Sequence, residues 1–390
     1  MSPQRLPRLT LPVLGILTEP HHERDGDAFG PLTTFIRDVV EAARMVGRPA
    51  YVFSSRDVLR QRTMVWGWSR TNGRWSRDFF PVPRIVYSQL TRPTRQDLEI
   101  LRWLREHEGS LCVNHPDLDA IVLDLWRLLH IAMSHPTVSR DIPEPVLLKA
   151  NQSLEQLLSD GRTYVVRPRF RGHGQPAICL MESPQGELSL VTHRDAPDGT
   201  QVFHSSVALR AHLEQRYGEV ILQPFEEPLR YHRHPILVRS IWQRNGLRQW
   251  QESAAVARIG SAGAMAGQFT TVSELDRFQP ILQELLGRRL HSTLYQVKTL
   301  GGAIARLLHE RSHGAGELAV DCWLTATGGV RLYDVTTAGG GLAVRQLRQP
   351  TAKQRMIETM LAYVRSLEDV LPAATALEVQ SVGGSQVLQG

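Results

Sequence analysis

Two aspartates, Asp321 and Asp334, sit in the stretch GELAVDCWLTATGGVRLYDVTTAGGG, Gly316 to Gly341, at a spacing that core packing does not explain. The stretch reads as two strands joined by a turn at Thr327, Gly328 and Gly329. With Thr327-Gly328 as the loop, Asp321 faces Asp334; with the loop one residue further on, Asp321 faces Thr336. Both registers leave Asp321, Asp334 and Thr336 on one face of the hairpin. Opposed β-carbons lie about 4.5–5.5 Å apart, so two carboxylates there repel unless something positive or water lies between them. Two readings follow. Asp321, Asp334 and Thr336 hold a divalent cation, or a neighbouring arginine neutralises the acids on a solvated edge hairpin.

A second cluster lies in YVVRPRFRGHGQPAICLM, Tyr164 to Met181, which reads as strand, glycine-bearing loop, strand. Gly172 and Gly174 let backbone amides approach an anion, and Arg167, Arg169 and Arg171 surround them with charge suited to phosphate oxygens. Arginines and loop amides for phosphates, followed by acids for a metal that bridges them, form the donor set of a Mg2+ nucleotide site.

Composition limits the chemistry. The chain has 390 residues, 42% hydrophobic, enough for two or three domains. Its formal charge of +6 is interspersed along the length, without the basic-aromatic clusters of a nucleic-acid binder, so no nucleic-acid partner is expected. Lysine occurs only at Lys149, Lys298 and Lys353, which nearly excludes a lysine base or Schiff-base amine. Cys112, Cys179 and Cys322 show no paired spacing and read as free thiols in a reducing compartment. Pro12 interrupts the only early apolar run and no stretch approaches a membrane span, so a soluble, intracellular protein is expected, with no membrane partner.

The elements that must position these residues fall into α/β and α+β parts. A strand at Val13 to Thr18, a helix at Leu32 to Val46 and a strand at Ala50 to Ser54 form a β-α-β unit with parallel neighbours. A hairpin about Thr71-Asn72-Gly73, a strand at Arg84 to Tyr87 and helices at Thr94 to His107 and Asp117 to Met133 complete the first domain, 1–135. The second, 136–372, places strands at Thr163 to Arg167, Ala177 to Glu182, Ser189 to Thr192, Val220 to Gln223, Ile236 to Gln243 and Trp250 to Ile259. Helices at Glu274 to Leu286 and His291 to His309, the acid hairpin and a helix at Ala352 to Leu371 follow, and 373–390 reads as a flexible tail.

This order resembles the ATP-grasp fold, and its details resemble the YheC/YheD endospore coat-associated family. Four segments carry the resemblance: LGILT at Leu14 to Thr18 with FGPLTTFIRDVVEAARMVGRPAYVFS at Phe29 to Ser54; WGWSRTNGRWSRDFFPVPRIVYSQL at Trp66 to Leu90; ILVRSIWQRNGLRQWQESAAVARIGSAG at Ile236 to Gly263; and GELAVD at Gly316 to Asp321. The resemblance implies an N-terminal pre-ATP-grasp-like domain followed by a two-lobed ATP-grasp-like domain. It implies ATP and Mg2+ as cofactors, held by Arg167, Arg169, Gly172, Gly174 and a hinge at Gln223 and Phe225, with Arg239 and Arg258 as catalytic arginines. It also implies a nucleotide partner, spore-coat proteins or an active paralogue as protein partners, and a place in the cytoplasm, including the mother cell, or in the spore coat.

The departures from the family pattern point away from turnover. Asp124-Leu125-Trp126 has leucine where the family carries lysine, and Arg167 stands for a lysine. Leu237-Val238-Arg239 loses the acid of a DxR motif, and Asp334-Val335-Thr336 stands for E-x-N. A planar guanidinium differs in geometry from a point ammonium, and aspartate is one methylene shorter than glutamate. The expectation is an ATP-grasp-like protein with weak or lost catalysis; the alternative is an active Mg-ATP-dependent carboxylate–amine ligase acting through an acyl phosphate.

Overall fold

The computed structural model describes residues 13–20, 29–91, 93–149, 152–158, 161–170, 178–182, 188–191, 199–264, 269–337 and 350–370. The early β-α-β unit forms as its pattern dictates. Helix Thr33–Met45 buries Phe35, Ile36, Val39, Val40 and Ala43, and strand Leu14–Leu17 runs parallel to both Ala50–Phe53 and Ile85–Ser88. These strands centre the first sheet, which the hairpin of Met64–Thr71 and Arg74–Pro81 extends on one side.

Two antiparallel sheets follow. In one, strand Tyr164–Pro168 lies between Ile178–Glu182 and Val220–Pro224. In the other, strand His234–Arg244 is flanked by Trp250–Gly260 and Glu317–Leu324, and Val330–Thr336 pairs with the last of these. Helices Leu275–Leu286 and Leu290–Arg311 pack behind this sheet in a core with Val238, Leu318, Val320 and Cys322.

The structure changes three expectations. The helix expected over Asp117 to Met133 is two helices, Pro116–Leu123 and Leu125–Met133. Asp124 breaks it with φ −95° and ψ 96°, and its carboxylate accepts from the Arg127 amide at 3.2 Å to cap the second helix. Helix Ser206–Tyr217 and strand Phe269–Glu274 had no counterpart in the sequence reading. The core behind the third sheet takes in Leu118 through Ile142, on both sides of the boundary expected at 135. The last helix, Pro350–Glu368, buries Ile357, Met360, Leu361, Tyr363 and Val364 in the core of the first sheet. Both ends of the second domain thus contact the first. The expected tail, 373–390, lies outside the described residues.

Candidate nucleotide cleft

The acid hairpin takes the register of the Thr327-Gly328 loop at its base, with Asp321 opposite Asp334 and Thr336 opposite Ala319. Gly328 adopts φ 82°, the left-handed backbone that the tight turn requires. Between Asp321 and the turn the register slips, with Cys322 opposite Leu332, so Tyr333 is the extra residue of a β-bulge.

The hairpin is neither solvated nor an isolated edge feature. Its first strand lies inside the sheet, and Asp321 is only 2% exposed. Directly across on the neighbouring strand stands Arg239, whose Nε and Nη2 donate to Asp321 Oδ1 and Oδ2 at 2.6 and 2.7 Å. Arg258, one strand further, donates through Nη1 to Asp321 Oδ2 at 3.1 Å. A buried carboxylate with both oxygens engaged by two guanidinium groups is paired and hydrogen-bonded, which is the condition for keeping its charge. Burial works against the charge of Arg239, but Asp321 outweighs it and holds that guanidinium above its ordinary range. For Arg258 burial wins over Asp321, and the group is pushed down.

The second sheet faces this cluster with Arg167. Its Nη2 lies 3.8 Å from Asp334 Oδ1, and its Nη1 donates to Gln223 Oε1 at 3.2 Å. Gln223 in turn donates to the Pro143 carbonyl at 3.1 Å, fixing the arginine from behind. The Arg167 guanidinium stands 4.9 Å from the Tyr333 ring centre, a cation–π contact. Burial raises the Tyr333 hydroxyl to about 12.

Beside these charges opens a pocket lined by Val165, Gln223, Phe225, Trp323, Tyr333 and Arg167 among others. Phe225 meets Trp323 edge-on at 6.3 Å, and Trp323 stacks on Tyr333 at 5.3 Å. A mostly apolar aromatic slot with a few charged groups at one end suits a flat base joined to an anionic chain. Gln223, Pro224, Phe225 and Glu226 line this slot. The Phe225 amide, however, already donates to the Thr163 carbonyl at 2.8 Å.

Of the residues expected at the site, Arg167, Gln223 and Phe225 line the pocket, Arg167 reaches towards Asp334, Arg239 and Arg258 gather on Asp321 opposite Asp334, and Thr336 lies two residues further along the same strand. Arg169 does not join them. It donates to Asp124 at 2.8 Å and to Glu219 at 3.2 Å, closing the chain against the helix break rather than facing a phosphate. Gly172 and Gly174 lie outside the described residues. Arg239, expected as a catalytic arginine, is held against Asp321 and is 7% exposed. Trp323, two residues after Asp321, and Tyr333, one before Asp334, were missed because alternation in a strand reads as core.

Magnesium does not fit this donor set as arranged. Both Asp321 oxygens accept guanidinium N–H groups, and Asp334 Oδ1 accepts the Val335 amide at 2.8 Å. Among the described residues the cluster sets three arginines against two aspartates, a net positive charge before any cation enters. Mg2+ needs near-ideal octahedral oxygen ligation, and carboxylates already committed to arginines supply it poorly. One feature points the other way: Thr336 Oγ1 is buried with no hydrogen-bond partner among the described residues.

Below the hairpin, Asp119 carries a second buried charge. It is 5% exposed and accepts from the Thr337 hydroxyl. Burial raises its carboxyl to about 6, only partly offset by Thr337. The unfolded chain ionises this group near its ordinary 3.8, below the folded value. Stability is therefore greatest at low pH with respect to this group, falls between about pH 4 and 6, and is level above that. Asp119→Asn is expected to remove that slope and gain about 3 kcal/mol at pH 8, shrinking towards zero at pH 4. Urea denaturation of both proteins at the two pH values measures it.

Residues 116–367 match the model of the YheC/D-like ATP-grasp family. No curated protein matches the chain by sequence. Among solved structures, D-alanyl-alanine synthetase A from Vibrio cholerae is 11% identical with a TM-score of 0.54, covering 93% of this chain and 98% of its own. A D-alanine–D-alanine ligase from Bacillus anthracis complexed with ATP is 10% identical with a TM-score of 0.53, covering 92% and 98%. A RiPP-associated ATP-grasp ligase from Chryseobacterium gregarium, solved with ADP and a leader and core peptide, is 12% identical with a TM-score of 0.52, covering 93% and 98%. At these identities the likeness is one of fold.

Proposed function

Since the chain belongs to the YheC/D-like ATP-grasp family, we propose that its cleft binds an adenine nucleotide and that carboxylate–amine ligation in it is weak or lost. The observation that carries this reading is the buried Asp321 carboxylate, held by Arg239 and Arg258 together. Phe225, Trp323 and Tyr333 offer the walls for a base, while Arg167 and Arg258 lie at the charged end where a phosphate chain would run. Arginine forks bind phosphate oxygens directly, so a nucleotide can be held there without a bridging cation. Phosphoryl transfer asks more, because charge on the transferred group must be neutralised as it moves. Here the groups that would do so are already spent on one another.

The orphaned Thr336 oxygen beside two opposed acids favours a second reading, an active ligase in which ATP phosphorylates a carboxylate and an amine attacks the acyl phosphate. The two are separated by ADP formation in the presence of Mg2+ and mixtures of amino acids and peptides. The first reading expects ADP at or barely above the no-protein control; robust substrate-dependent ADP formation that Asp334→Asn abolishes would establish the second. The family resemblance supports a setting in the mother-cell cytoplasm or spore coat, as a scaffold or as partner of an active paralogue. No helix among the described residues is long and apolar enough to cross a membrane.

A further inference from the structure

We propose that His115, Asp117 and His313 bind one borderline divalent transition metal, Zn2+ foremost, which staples the loop before the acid hairpin to the start of helix Pro116–Leu123. One nitrogen of each ring and a carboxylate oxygen of Asp117 all lie within 4.8 Å of one another. His313 Nδ1 is 3.1 Å from Asp117 Oδ2, and His115 Nδ1 is 3.5 Å from the same oxygen. Ligands bound to zinc at about 2.0–2.1 Å in a tetrahedron stand roughly 3.4 Å from one another, so these separations already match its edges.

The cluster is assembled by the fold across 196 residues. His115 donates its amide to the Gly314 carbonyl at 2.9 Å, tying the two segments together next to the side chains. His313 adopts φ 59°, a left-handed conformation uncommon outside glycine, and this sets its ring 5.5 Å from that of His115. Two imidazoles and one carboxylate suit zinc, cobalt or nickel and disfavour magnesium and calcium. Three protein ligands leave the fourth position to water.

A simpler account takes His115 Nδ1 as the cap of its helix, accepting from the Asp117 amide at 3.1 Å, with His313–Asp117 as a surface hydrogen bond. A metal held through Nδ1 would displace that amide contact, so the two accounts exclude one another and the metal titration decides between them. The left-handed His313 follows the C-cap Ser312 of helix Leu290–Arg311, where that conformation is common, so it favours neither account. Arg105 and Arg102 act on His115 alongside Asp117. The positive field of Arg105 opposes a cation, and Asp117 opposes Arg105. The site lies outside the nucleotide cleft and stands whether or not that cleft binds nucleotide.

The test is titration of the chelator-stripped full chain with Zn2+ by calorimetry and with Co2+ by visible absorption. One equivalent is expected to bind at micromolar or lower concentration, with a tetrahedral Co2+ spectrum and no thiolate band. His313→Ala, at a largely exposed position, and His115→Asn, which keeps a helix-capping acceptor, should each weaken binding by at least the roughly 10–100-fold that loss of even a supporting residue costs. Asp334→Asn should bind as the parent does. Binding only at millimolar metal, or binding unchanged in both histidine variants, or binding lost in Asp334→Asn alone, would overturn the assignment.

Discussion

Asp321→Ala is expected to lose about 3–5 kcal/mol of folding stability, the largest effect of any single substitution at the cleft. The loss comes from what is left behind. Arg239 is 7% exposed and gives two of its donors to Asp321, so removing the carboxylate strands a buried guanidinium. Arg258 sits at the same carboxylate and loses its partner too. Replacing both members of the tight pair behaves differently, because a buried ion pair exchanged for apolar residues of similar volume is often neutral or stabilising. Asp321→Leu with Arg239→Met should therefore recover most of the loss. Urea denaturation of the parent, both single variants and the double variant gives the coupling. A single Asp321→Ala that costs under 1 kcal/mol would show that the arginines find water or other partners, and the account of the cluster would be wrong.

The second large effect concerns binding. Arg258→Ala and Arg167→Ala are each expected to weaken ATP binding about 10- to 100-fold, since a hydrogen bond to a charged group contributes about 1.5–3 kcal/mol. Neither should unfold the protein: Asp321 keeps its fork with Arg239 in the first variant, and the Arg167–Asp334 contact is long, at 3.8 Å, in the second. Calorimetric titration of ATP against a circular-dichroism control of folding separates lost binding from lost structure. Equal affinity in both variants would place the phosphates elsewhere.

Much of this site could be read from the chain, and the reasons differ by residue. The pairing of Asp321 with Asp334 was one of the two registers that a short turn and period-two alternation allowed, and the strand pairing chose between them. Gln223 and Arg167, expected at the site from strand order together with family resemblance, line the same pocket on paired strands. Arg239 and Arg258 were expected to neutralise a phosphate, and what lay beyond reach was their first allegiance to Asp321. That depends on which strands become neighbours across 82 residues, a long-range choice that local pattern does not encode. Tyr333 was hidden for a similar reason, since only the bulge turns it toward Arg167. The break at Asp124 was obscured by apolar residues on both sides that continue a helical pattern. Asp119 gave a fainter signal, an acid within the apolar run PDLDAIVL, and its burial could be known only once Thr337 was in place above it.

These residues together describe a cleft that keeps the shape of a nucleotide site while committing its acids to its own arginines. The direct test is calorimetric titration of ATP into the full chain, once in EDTA and once in excess Mg2+. The account predicts binding in EDTA at least as tight as in Mg2+, because an arginine-rich cluster with a net positive charge favours the free tetra-anion. Binding that appears only with Mg2+ and disappears in Asp334→Asn would contradict it, and so would a folded protein that binds no ATP under either condition.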